Sequence, residues 1–93
     1  MISKNGERFE IKGPITMANA RSIMEEGATL FNHGEVEVDL AGVDEVDSSA
    51  VSILLQWMRQ AQLSNQPILF FNLPENLKSL IALYDVVEII PHR

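Results

Sequence analysis

Between Glu35 and Leu40 the chain alternates carboxylates with apolar side chains: Glu35, Glu37 and Asp39 against Val36, Val38 and Leu40. A strict period of two describes a strand with one face buried and the other wet. A few residues on, Asp47-Ser48-Ser49 opens a run of helical period that continues to about Leu63. The strand must keep one face in water, and the helix it feeds must bury a stripe. Both needs are met when the helix lies on the apolar face of a sheet.

The remaining segments fit that frame. Asn5-Gly6 is a hairpin signal, because both residues tolerate positive φ. It predicts a short first strand and a second over Glu7 to Lys12, where Phe9 and Ile11 alternate with polar residues and Gly13-Pro14 ends the strand. Thr16 is the expected N-cap of the first helix. That helix carries Ala20, Ile23, Met24, Gly27, Leu30 and Phe31 on its apolar stripe, with Glu25 and Glu26 wet and Asn32-His33-Gly34 closing it. Pro67 to Phe71 is a short apolar run, expected as a strand buried on both faces. Pro74 is expected in the first turn of a third helix, with Leu77, Leu80, Ile81 and Tyr84 facing inward. Val86 to Ile90 predicts a last strand, stopped by Pro91. The order is a hairpin followed by αβαβαβ: an α/β fold with a mixed sheet of four or five strands and helices mainly on one face. The expected unit is one monomer-capable domain spanning residues 1–93.

The second helix is the most informative element. Stepping about 100° per residue, Ala50, Val51, Ile53, Leu54, Leu55, Trp57, Met58 and Ala61 fill an arc of roughly 200°. A helix wedged between a sheet and another helix shows such an arc. So does one whose edge positions, here Ile53, Leu55 and Trp57, stay partly exposed for a partner. Ser49 to Gln56 carries no charge, which suits a surface that is sometimes desolvated. At the helix start, N–H groups are unpaired and favour acceptors or negative charge. A hydroxyl there can cap the helix, touch a partner or receive a phosphoryl group.

Catalytic chemistry has little support. Asp39, Asp44, Glu45 and Asp47 could gather round Mg²⁺, but their spacing matches no metal loop and a solvated acidic loop explains them. His33 and His92 stand alone, Ser48 has no His or Lys nearby in sequence, and no glycine-rich phosphate cradle exists. The chain contains no cysteine, which removes thiol catalysis and zinc ribbons. Its net charge of −6 argues against nucleic acid and anionic membrane surfaces. No membrane span and no signal-peptide core are visible, so a soluble cytoplasmic domain without metal or cofactor is expected.

With these features the chain resembles the STAS family of sulfate-transporter and anti-sigma-factor-antagonist domains. The resemblance rests on the order of elements with Gly13 after the second strand, and on Val36-Glu37-Val38-Asp39-Leu40 followed by Val46-Asp47-Ser48-Ser49. It rests also on the ending Leu83-Tyr84-Asp85 and Ile89-Ile90-Pro91. Within the family it looks most like the stand-alone STAS subunits of Mla-type phospholipid-transport ABC systems. That likeness implies a non-catalytic bacterial subunit that binds the cytoplasmic ATPase of the transporter at the inner face of the membrane and supports its assembly or activity. Ser48 falls where those subunits carry a Thr important for the ATPase contact. The candidate partner-binding residues are therefore Thr16, Asp47, Ser48, Ser49, Ser52, Ile53 and Gln56.

The alternative is an anti-sigma-factor antagonist, whose partner is an anti-sigma-factor kinase and whose phosphorylated serine corresponds to Ser48. The chain departs from antagonists at Thr16, where they usually carry Asp, and at Ala50, where they carry Gly. A small-ligand or nucleotide sensor ranks below both.

Overall fold

The computed structural model describes residues 2–31 and 34–84. The expected strand over 86–90, Asn32-His33 and His92 lie outside the described residues. Four strands form one sheet in the order β1-β2-β3-β4: β1 (Ile2–Asn5), β2 (Arg8–Ile15), β3 (Val36–Val46) and β4 (Ile68–Phe71). The β1–β2 hairpin is antiparallel, turning through Gly6 at φ 67°, and β2–β3 and β3–β4 are parallel. Three helices fill the crossovers and the described C-terminal part: α1 (Ala20–Leu30), α2 (Ser48–Leu63) and α3 (Glu75–Leu83). The expected α/β fold with a mixed sheet, an N-terminal hairpin and one-sided helical cover is what is observed.

The core follows from the alternation. Phe9, Ile11, Val36, Val38, Leu40, Ile68 and Phe70 point to the helical side and are buried, together with Ala50, Val51, Leu54, Trp57 and Met58 of α2. Glu37 and Asp39 stay half-buried on the opposite face. Trp57 sits at the crossing of α1 and α2, edge-on to Phe31 at 5.0 Å between ring centroids, and Phe31 is edge-on to Phe9 at 4.9 Å. No buried side chain in the core is charged or polar among the described residues.

Several boundaries differ from expectation for identifiable reasons. β2 does not stop at Gly13-Pro14. Gly13 takes φ 87°, and β1 has already ended, so the missing N–H of Pro14 disrupts no ladder on that side. β3 runs on to Val46 and carries two extra residues. Glu10 pairs with Asp39 and Lys12 with Gly42; Gly13 pairs with Val43 and Ile15 with Val46. The bulges swing the last part of β3 so that Val43 is buried and Asp44 and Glu45 are exposed. Strand β4 is buried on one face only, with Leu69 and Phe71 half-buried. Arg8 covers Phe71 there, its guanidinium 3.8 Å from the ring centroid.

Thr16 does not cap α1. The helix starts later, after Asn19, whose side chain accepts from the Thr16 N–H at 3.0 Å and donates to the Pro14 carbonyl at 2.8 Å. Asn19 thereby holds residues 16–19 as a separate turn. Glu26 is not simply wet: its carboxylate accepts from the Ile2 N–H at 2.9 Å and ties α1 to β1. Leu30 is exposed. In α2, Ile53 and Trp57 are not edge positions; they are 3% and 2% exposed, because α1 packs over that side. Leu55 remains half-buried. Pro74 stands at the N-cap of α3 in extended conformation rather than inside the first turn, and Tyr84 follows the end of the helix, half exposed.

Candidate functional site

The site grows from one carboxylate. Asp47 ends β3 in extended conformation and is the N-cap of α2. Its Oδ1 accepts from the Ser49 N–H at 2.9 Å and from the Ser49 hydroxyl; its Oδ2 accepts from the Met17 N–H at 2.9 Å. Its own N–H donates to the Ile15 carbonyl at 3.3 Å. A single side chain thus caps α2 and fastens the turn between β2 and α1 to it. The Ser49 hydroxyl above all, with the N–H groups of Met17 and Ser49, holds the Asp47 carboxyl below its ordinary value of 3.8, against a weaker opposite pull from burial.

This division of labour changes the role available to Ser48. Asp47 supplies the cap, so Ser48 is the first helical residue and is exposed. Its hydroxyl is not the capping group. Ala50 is helical and fully buried, so the backbone freedom that glycine would bring there is not used.

Beside Ser48 a groove of about 410 Å³ runs between α1 and α2. Ala20, Arg21 and Met24 form one wall; Ser49, Ser52 and Gln56 form the other, over Ile53. Met17, whose N–H is held by Asp47 on the turn before α1, is 78% exposed. Of the residues proposed from sequence, the structure brings Ser49, Ser52, Ile53 and Gln56 into one groove and places Asp47 and Ser48 at its head. Ile53 enters as a buried floor and not as a projecting contact. Thr16 lies in the tethered turn, half-buried, and contributes backbone hydrogen bonds.

Sequence reasoning missed the α1 wall. Ala20 and Met24 were legible as apolar stripe positions, but half-burial at a groove has no signature in the period. Met17 carried no signal in the sequence; it lies in the turn that precedes the later helix start and is exposed. A larger hollow of about 570 Å³ opens at the opposite ends of the two helices, around Phe31, Trp57 and Gln66; it contains none of the residues proposed from sequence.

The acidic residues do not converge. Asp39 accepts from the Ala41 N–H at 2.9 Å and from the Asn72 amide at 3.1 Å, far from Asp47's partners, while Asp44 and Glu45 face solvent. Among the described residues no group of three or more His, Asp or Glu is placed to hold a metal ion. No described helix is long and apolar enough to cross a membrane.

Known structures share this architecture. The anti-sigma factor antagonist SpoIIAA in its unphosphorylated form superposes with a TM-score of 0.76 at 11% identity, covering 100% of this chain and 86% of that one. A putative anti-sigma factor antagonist from Thermotoga maritima gives 0.82 at 11% identity, covering 99% and 83%. RsbS from Moorella thermoacetica, carrying a serine-to-glutamate substitution, gives 0.71 at 15% identity, covering 100% and 84%. At these identities the likeness is one of fold. No curated protein matches the chain by sequence. A family model described as "Mlab, STAS domain" matches residues 2–91, and on that match, joined to the fold, the chain belongs to the STAS family.

Proposed function

We propose that the chain is a non-catalytic interaction subunit that docks on the cytoplasmic ATPase of an ABC-type phospholipid transporter of the Mla kind. The observation that carries this reading is the Mlab-described family match across residues 2–91. The docking surface is the head of the α1–α2 groove: Ser48 and Ser49 at the start of α2, Ser52 and Gln56 on its exposed side, Met17 on the turn tied to Asp47. Small hydroxyl side chains let a partner backbone approach closely. The turn is pre-organised by the Asp47 bonds, which lowers the ordering cost of binding.

The test is affinity for the ATPase beside thermal melting. Ser48→Asn and Ser48→Glu leave the cap intact, because Asp47 provides it, so both keep a melting midpoint close to wild type. Both weaken binding, and Glu weakens it more, because a carboxylate pressed into a packed contact loses hydration without an assured partner. Arg59→Gln, further along α2, has the smaller effect. Wild-type affinity in Ser48→Glu would remove Ser48 from the interface.

A second reading is favoured by the exposed, uncapping Ser48 and by the antagonist folds it resembles. An anti-sigma-factor kinase would phosphorylate Ser48, adding about −1.5 to −2 charge at pH 7 and repelling an acidic or closely fitted partner. Incubation with such a kinase and ATP, read by intact mass, separates the two: phosphate on Ser48 selects the signalling reading, an unchanged mass the transport reading.

A further inference from the structure

The hollow of about 570 Å³ at the C-terminal ends of α1 and α2 has the size of a small-molecule site. Phe31, Trp57 and Ile68 line its apolar side; Gln60, Ser64 and Gln66 line its polar side. None of the described residues lining it is charged, in a chain of which 22% is charged. The helix ends fix its electrostatics. Phe31 and Ser64, the C-caps of α1 and α2, both line the hollow, so the negative ends of two helix dipoles meet there and disfavour an anion. The α2 end is closed on itself. Asn65 takes φ 52°, its N–H donates to the Gln62 carbonyl at 3.3 Å, and the Gln66 N–H donates to the Ala61 carbonyl at 2.8 Å. With those carbonyls taken and no carboxylate in the described lining, a cation finds no partner either.

The same turn anchors Gln66. Its side-chain Nε2 is enclosed and has no hydrogen-bond partner among the described residues. An enclosed donor without a partner costs free energy. Because no bond holds it, turning the amide toward an acceptor in the hollow makes one bond and breaks none. We propose that the hollow binds a small uncharged molecule with an apolar body and one carbonyl-type acceptor, the body against Phe31 and Ile68 and the acceptor on the Gln66 amide. The site lies at the opposite end of α1 and α2 from Ser48, and it stands whether or not the chain docks on an ATPase.

Three probes of similar size test the proposal. Acetophenone carries an apolar ring and an acceptor, ethylbenzene lacks the acceptor, and benzoate adds a charge. Binding to the whole chain is followed by NMR at the indole N–H of Trp57, the one tryptophan, and at the side-chain amide of Gln66. Acetophenone shifts both signals and binds about fivefold more tightly than ethylbenzene, the worth of one neutral hydrogen bond. Benzoate binds more weakly than either. Gln66→Met keeps the length and removes the donor. It brings acetophenone down to the affinity of ethylbenzene, and its melting midpoint is no lower than wild type, because no bond is lost. Ala28→Phe, at an exposed position lining the hollow, narrows it and weakens acetophenone and ethylbenzene alike. Silence with all three probes, equal wild-type affinity for acetophenone and ethylbenzene, or preference for benzoate overturns the proposal. So does a Trp57 shift that grows with protein concentration and needs no probe, which would make a second copy of the chain the occupant.

Discussion

At the scale of single residues, Asp47 does the work that the sequence distributes over a tripeptide. The turn Asp47-Ser48-Ser49 was legible as a helix start, because short polar residues before an apolar run signal a cap. Which residue caps was not legible, since Asp and Ser both serve. Nor was the bond to Met17, which spans a large sequence separation and depends on how β2 ends. The same ambiguity moved the start of α1: Thr16 and Asn19 are both cap formers by type, yet the Asn19 side chain makes no cap bond to the helix and instead ties Thr16 and Pro14 into the turn before it. The lowered Asp47 pKa makes a stability prediction. A carboxyl depressed in the folded state stabilises above its unfolded value and loses that contribution as pH falls through the folded one. Asp47→Asn keeps one acceptor oxygen for the cap, but it loses the charge, and its amide nitrogen cannot accept from the Met17 N–H. Its melting midpoint is therefore below wild type at neutral pH, and the gap closes as pH drops from about 5 toward about 2. Parallel curves across that range would show that the carboxylate charge contributes nothing.

At the scale of elements, the period of α2 marked the apolar arc, of which Leu55 alone is half-buried, yet it could not say whether Ile53 and Trp57 were covered. The answer lies in α1. Gly27 faces the indole of Trp57, and a Cβ at that position would lie 2.5 Å from Cζ2 and 2.6 Å from Cε2. The glycine is thus the reason α1 can lie flat on Trp57 and seal it. In a helix Gly→Ala ordinarily gains about 1 kcal/mol of propensity. Here the clash is with a ring held by Phe31 and by its Nε1–H to the Met24 carbonyl at 3.4 Å, so it cannot swing away freely. Overpacking of this kind costs about 1–3 kcal/mol, and Gly27→Ala is expected to be destabilising overall in urea unfolding. Trp57→Phe removes the atoms that clash, so Gly27→Ala costs less in that background than in wild type. A stabilised Gly27→Ala single variant would mean that α1 does not rest on the indole.

Over the whole molecule, one-sided helical cover was readable from Glu35 to Leu40, because a carboxylate at every second position demands water. What that pattern did not show is how the uncovered face is held together. Arg8 on β2 reaches Glu37 at 3.6 Å and Asp39 at 3.8 Å on β3, and its guanidinium carbon lies over the Phe71 ring of β4, 3.8 Å from the centroid. Asp39 in turn accepts from the amide of Asn72, just past β4, whose φ of 56° turns the chain toward α3. Arg8 thus links three strands where no helix lies among the described residues, and it hides the outward ring that made β4 look buried on both faces. The two contributions separate experimentally. The half-exposed ion pairs are worth about 0–1 kcal/mol and are screened by salt. Stacking of the planar guanidinium on the ring adds about 0.5–1 kcal/mol and is less sensitive to salt. Arg8→Lys keeps the charge and loses the planar stack. It is expected to lower stability by about 0.5–1 kcal/mol, with most of the difference persisting at 1 M NaCl. Should Lys match Arg, or the difference vanish in salt, the open face would be held by charge pairing alone, and Phe71 would be a ring merely sheltered by its neighbour.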